Sequence, residues 1–193
     1  MTTTLRLPRA EGKVFSDVGL PGQTGAMTTR IMTVCTGNIC RSPMAEVVLR
    51  SRLADAGLDD VVVDSTGVSG EEHGNPVDPR ARRVLREHGY EVPDHAARQV
   101  SAEQLGDRDL VLPMTAQHAR VLRRLAASAG VDDSHVVMYR AFDPSAPASD
   151  GDSADLDIAD PWYGDQDGFV ECLAQIEAAA DGVVERVRAL NGA

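Results

Sequence analysis

The chain has 193 residues, 42% of them hydrophobic and 25% charged, the balance of a globular protein with one sizeable core. Its net charge of −11 makes nucleic acid and anionic membranes poor partners, and no apolar run approaches the ~20 residues of a membrane-spanning helix. Three cysteines, Cys35, Cys40 and Cys172, are too few for a disulfide framework or a four-cysteine zinc site; with no secretory layout at the N-terminus, they predict a cytoplasmic protein.

Residues 1–28 carry no sustained periodicity and include Gly19, Pro21, Gly22 and Gly25, which predicts a flexible N-terminal extension before one domain spanning 29–193. "RIMTV" then reads as a buried strand. Ser42 to Ala56 reads as a helix with Ser42 as cap, Pro43 in the first turn and Ala45, Val48, Leu49 and Leu53 on one face, closed by Gly57. Val61–Ser65 is a second strand, Asp78–Glu87 a helix, Asp109–Met114 a third strand and Thr115–Ala127 a helix. His135–Tyr139 is expected as a fourth strand. A Pro-, Ser- and Asp-rich loop runs from Asp143 to Asp160. The last helix, Asp167–Leu190, buries Phe169, Leu173, Ile176, Ala180, Val184 and Val187. Such alternation predicts a three-layer α/β fold: a central four-stranded parallel sheet with helices on both faces. Ligands of such sheets bind beyond the carboxyl ends of the strands, where Cys35 lies.

The stretch "TVCTGNICRSPMAE", Thr33 to Glu46, concentrates the chemistry. A loop joining a strand to a helix N-terminus points backbone N–H groups inward, and with the helix dipole they form an anion site. Gly37 permits close backbone approach, and Asn38 tolerates the left-handed region. Arg41 offers a planar fork of donors for two phosphate oxygens. A cysteine in that cradle is favoured as a thiolate, which makes Cys35 a nucleophile. The Ser42 hydroxyl can donate to it. Nucleophile and clamp in one loop imply phosphoryl transfer to sulfur, then hydrolysis of a phosphocysteine.

"VCTGNICRSPMAE" closely resembles the active-site loop of the low-molecular-weight protein tyrosine phosphatases of bacterial type. "GNPVDPRARRVLREHGY", "DHAARQVSAEQLGDRDLVL" and "DIADPWYGD" resemble later segments of that family, in the same order, over about residues 30–190. The resemblance implies an enzyme acting on tyrosine-phosphorylated proteins, without metal or other cofactor; a monomer is its expected state. It implies Cys35, Arg41 and Asp160 as catalytic residues, with Thr36, Gly37, Asn38, Ile39, Cys40 and Ser42 forming the phosphate loop. By the same resemblance Asp160 is the general acid, Trp162 and Tyr163 wall the entrance, and His95 supports Asn38. Cys40 is a candidate trap for an oxidised nucleophile. Asp143 is the weaker candidate acid; Cys172 reads as an inert core thiol, and His73, His118 and His135 as ordinary structural or surface histidines.

Two departures stand out. Glu71 and Glu72 fall where relatives usually place a bulky residue near the pocket mouth; facing the cleft, they would favour neutral or basic substrate flanks. Thr115–Ala116 replaces a usual Asp-Arg pair. Two other readings share parts of the pattern. An arsenate reductase needs further cysteines to pass a disulfide outward, and only Cys172 lies outside the loop. A non-catalytic phosphate-binding module has no use for Cys35, Arg41, Ser42 and Asp160 together.

Overall fold

A computed structural model describes residues 28–192; the expected extension, residues 1–28, lies outside that range except for its last residue. The chain order is β1 (Arg30–Cys35), α1 (Arg41–Asp55), β2 (Val62–Gly67), α2 (Pro79–Glu87), α3 (Ala102–Gly106), β3 (Leu110–Pro113), α4 (Ala116–Ala129) and α5 (Gln166–Leu190). Single 3-10 turns occupy Tyr139–Phe142, Ala154–Leu156 and Pro161–Tyr163. The sheet runs β2-β1-β3, all parallel, with Ile31 opposite both Val63 and Leu110.

β1 is the central strand and is buried from Ile31 to Cys35. Its side chains alternate between two cores, as a strand's period of two requires. Ile31 and Cys35 point to the layer of α1, α2 and α5, where Met44, Leu49, Leu85, Phe169, Leu173 and Ile176 pack. Met32 and Val34 point to the layer of α3 and α4, against Leu105, Leu122 and Ala126. All six α5 residues expected in the core are buried there.

The sheet has three strands, not the expected four. Val136 meets β3 through a lone parallel bridge to Val111. Val111 N–H donates to His135 O at 3.0 Å, and Val137 N–H donates to Val111 O at 2.9 Å. The next ladder bond would have to come from residue 113, and Pro113 has no N–H to give. The chain then leaves the sheet for the turn at Tyr139–Phe142.

The start of α1 also differs from expectation, and α3 is not among the expected elements. α1 begins at Arg41 with Cys40 as an uncapped N-cap, because the Ser42 hydroxyl is engaged elsewhere. The five-residue α3 is too short for periodicity to reveal; a capping box between Ser101 and Gln104 marks it. At the departure Thr115–Ala116, Thr115 caps α4 by accepting from His118 N–H at 3.2 Å, and Ala116 N–H donates to Asp157 Oδ1 at 2.7 Å.

α5 crosses the Tyr139–Phe142 turn at Gly182, where a Cβ would sit 2.2 Å from the Phe142 carbonyl oxygen. Alanine would return at most ~1 kcal/mol of helix propensity, whereas a collision with backbone on a packed helix costs ~1–3 kcal/mol. Gly182→Ala is therefore expected to lower the urea midpoint in equilibrium unfolding, despite its better helix propensity. A midpoint equal to or above wild type would refute the close approach.

Candidate active site

The site is the turn between β1 and α1. Its pivot is Asn38, at φ 60°, the one non-glycine residue with positive φ among the described residues. That conformation costs ~1–2 kcal/mol for a residue with a Cβ, so the surroundings must hold it. They do so through both ends of the Asn38 amide and its carbonyl. Nδ2 donates to Ser42 Oγ at 3.0 Å and to Ser65 Oγ at 2.9 Å. Oδ1 accepts from Arg98 N–H at 3.0 Å, and His95 Nε2 lies 2.7 Å from the main-chain oxygen. Ser65 in turn donates to Glu46 Oε2 at 2.5 Å, and Glu46 pairs with Arg50 at 2.6 Å. The turn can lie this close to β2 only because residue 67 is glycine: a Cβ there would stand 2.5 Å from Thr36 O.

Cys35 ends β1 with Sγ 3.1 Å from Ser42 Oγ. Ser42 Oγ is also 3.1 Å from Thr66 O. The hydroxyl already accepts from Asn38, and its one hydrogen can serve the carbonyl or the sulfur. Arg41 is 4% exposed. Its Nη1 donates to Ile158 O at 3.1 Å and its Nη2 to Thr36 Oγ1 at 3.2 Å. Nη2 also pairs with the Asp160 carboxylate, while Nε is buried with no partner. A buried guanidinium N–H without an acceptor is a donor available to an anion in the loop.

Asp160 comes from the other end of the chain, on a segment pinned at several points. Ile158 N–H donates to Met114 O at 2.9 Å, just beyond β3. Asp160 Oδ1 accepts from Trp162 N–H at 3.2 Å and so caps the short turn Pro161–Tyr163. Arg80, at the start of α2, holds the far side: its Nη1 donates to Trp162 O at 3.2 Å and Gly164 O at 3.0 Å. The guanidinium stacks over the Phe169 and Trp162 rings, 4.6 and 5.5 Å from their centroids. The rest of it grips Asp78, whose N–H donates to Ile39 O of the loop between β1 and α1 at 2.8 Å. One side chain thus links the two loops.

Between them lies a cavity of about 170 Å³. Cys35, Thr36, Gly37, Ile39, Cys40, Arg41, Asp160, Trp162 and Tyr163 line it, with Ser69, Glu71 and Glu72. Of the other expected site residues, Asn38 and Ser42 are fully buried beneath the loop, and His95 stands behind Asn38. The alternative acid Asp143 is buried away from the cavity, bonded to Ser145 and paired with Arg140. Burial, with the Asp78 carboxylate nearby, pushes the Cys40 thiol up and holds it protonated. Burial likewise pushes Cys172 up to about 12; it sits inside α5, 3% exposed.

His118 is a structural histidine, as expected, and the residue it braces belongs to the site. It is buried, and its Nε2 lies 2.9 Å from Thr36 Oγ1, the atom that also receives Arg41. Burial first, and the Arg41 charge second, pull its pKa down to about 3, so the imidazole adds no charge to the site. Arg80, Ser65, Glu46 and Arg98 are likewise site supports with no local motif to mark them; only a capped helix start, Asp78-Pro79, preceded Arg80 in the sequence.

Residues 30–191 match the profile of a family described as "Low molecular weight phosphotyrosine protein phosphatase". The chain is 48% identical over 163 residues to a low molecular weight protein-tyrosine-phosphatase of Streptomyces coelicolor, covering 84% of this chain and 95% of that one. It is 45% identical to the low molecular weight protein-tyrosine phosphatase A of Mycobacterium tuberculosis, over 82% of this chain and 93% of that one. Among solved structures, YfkJ from Bacillus subtilis superposes with a TM-score of 0.74 at 30% identity, covering 86% of this chain and 98% of its own. The chain belongs to the low molecular weight phosphotyrosine protein phosphatase family.

Proposed function

We propose that the protein is a protein-tyrosine phosphatase that cleaves aryl phosphate monoesters through a phosphocysteine. One observation carries the reading: Cys35, Arg41 and Asp160 face one cavity, with the Ser42 hydroxyl 3.1 Å from the sulfur. The phosphate enters the loop and takes over the Arg41 donors, including the unpartnered Nε. Asp160 is thereby displaced from the guanidinium. The Cys35 thiolate attacks phosphorus, the P–O bond to the aryl group breaks, and Asp160 in its acid form gives its proton to the departing oxygen. Asp160 then takes a proton from water, the water oxygen attacks phosphorus, and the S–P bond breaks. Ser42 stabilises the leaving thiolate by turning its hydrogen from Thr66 O to Sγ. Trp162 and Tyr163, both exposed at the mouth, receive the aryl ring.

Tyrosine-phosphorylated proteins are the proposed substrates. Three free cysteines fit a reducing compartment, and the cytoplasm is the proposed place of action, with a monomer as the working unit. No described helix is long and apolar enough to cross a membrane. Arsenate reduction is disfavoured, because Cys172 is enclosed within α5 and offers no outward path for a disulfide. A purely phosphate-binding role leaves the Cys35–Ser42 pair and the anchored Asp160 unexplained.

Cys35→Ser is expected to abolish hydrolysis of p-nitrophenyl phosphate in EDTA; residual wild-type-like turnover would overturn the nucleophile assignment. Asp160→Asn should slow phenyl phosphate by ~10²–10⁴-fold but p-nitrophenyl phosphate, with its better leaving group, far less. Equal slowing of both would remove Asp160 as the acid. Arg80→Met is expected to reproduce that leaving-group pattern in milder form, by ~10-fold, since it frees the loop that carries Asp160. A rise in KM with no leaving-group dependence would assign Arg80 to binding instead.

A further inference from the structure

The mouth of the cavity is asymmetric in charge. On one side stand Glu71 and Glu72, from the segment between β2 and α2. Glu72 is held in place: its methylenes lie against Gly37, where a Cβ would come within 2.8 Å of Glu72 Cγ, and its Oε2 accepts from Asn75 Nδ2 at 2.6 Å. Glu71 is exposed. Among the described residues neither carboxylate forms an ion pair. On the other side stand Trp162, 42% exposed, and Tyr163, 92% exposed. The one cation lining the cavity is Arg41; it is 4% exposed, and its unpartnered Nε serves the phosphate at the bottom.

A peptide that places its phosphate on the loop must lay its neighbouring residues across this rim. An acidic neighbour meets two carboxylates, while the cation nearest the rim, Arg80, is already paired with Asp78 and stacked on Trp162. A basic neighbour meets the same carboxylates as partners and, opposite them, the exposed ring of Tyr163, which attracts cations. We propose, resting on the phosphatase reading above, that Glu71, Glu72 and the Trp162–Tyr163 wall select phosphotyrosines flanked by arginine or lysine. The phosphate loop supplies affinity for the group that reacts, and the rim supplies the choice of sequence around it.

The test compares kcat/KM for two phosphotyrosyl peptides that differ only in carrying arginine or glutamate on both sides of the phosphotyrosine, with p-nitrophenyl phosphate alongside. The expected preference for the arginine peptide is ~10-fold at ~0.01 M salt, where screening reaches ~30 Å, and it shrinks at ~1 M, where screening reaches ~3 Å. It should collapse when Glu71→Gln and Glu72→Gln are combined. It should persist when Asp59→Asn and Asp60→Asn are combined; these two exposed residues lie just before β2, at the opposite end of the strands, and remove the same charge. Equal rates for the two peptides, or a preference that survives loss of both rim carboxylates, would overturn the proposal. Equal collapse in the Asp59/Asp60 variant would overturn it too, by assigning the preference to the overall charge of −11. If p-nitrophenyl phosphate is not hydrolysed at all, the phosphatase reading falls. Calorimetric binding of the same two peptides to the wild-type protein then decides the rim, and equal affinities refute it.

Discussion

The site depends on the left-handed turn at Asn38. Backbone bonds from Ser69 to Thr36 O and from Asp78 to Ile39 O flank it, and hydrogen bonds to an amide side chain hold its pivot. Through Nδ2 the residue reaches α1 at Ser42 and β2 at Ser65, and through Oδ1 and its carbonyl it reaches the segment of His95 and Arg98. The backbone cost of ~1–2 kcal/mol is offset by bonds worth ~0.5–1.5 kcal/mol each. The same bonds fix the hydroxyl that faces the nucleophile. From Cys35 a continuous polar path runs through Ser42, Asn38, Ser65 and Glu46 to Arg50 at the protein surface. Loss of an interior member such as Asn38 or Ser65 strips hydrogen bonds from buried polar neighbours, which is the expensive outcome for such a network.

The proposed acid, Asp160, arrives by an independent route. Its loop hangs from β3 through Ile158, from α4 through Asp157 and from α2 through Arg80. Two rigid frames therefore meet at Arg41 and Asp160. The Arg80–Asp78–Ile39 link joins them directly, so the separation of nucleophile and acid is set by side-chain bonds as well as by the sheet.

The sequence made the local parts of this design readable. A strand ending on Cys35, a turn with Gly37 and Asn38, and Arg41 followed by a helix all lie within a dozen residues, and Asp160-Pro161-Trp162 has its own signature. What it hid is non-local. His118 shows its role only when α4 places it against Thr36, 82 positions away. Arg80 reads as an ordinary helix residue until α5 brings Phe169 beneath it. The apparent fourth strand fails for a reason on another strand: "HVVMY" has the composition for pairing, but Pro113 of β3 cannot donate the bond that would extend the ladder. Glu71 and Glu72 are expected near the mouth from the resemblance alone; what the sequence could not give is the contact that holds Glu72 there, its methylenes packed against Gly37.

The ion pair between Arg41 and Asp160 has a kinetic meaning. In the free protein the acid is a tethered competitor for the clamp, present at the high effective concentration that a short, anchored loop gives. Every incoming anion is weakened by the same factor, so the pair lowers the hold on inorganic phosphate as much as on substrate. A substrate recovers that loss through its ring and flanking residues at the rim; the product phosphate has neither. With Asp160 as the proposed acid, the site is biased toward emptying after each turnover, because the residue proposed to assist bond cleavage also takes back the place of the product.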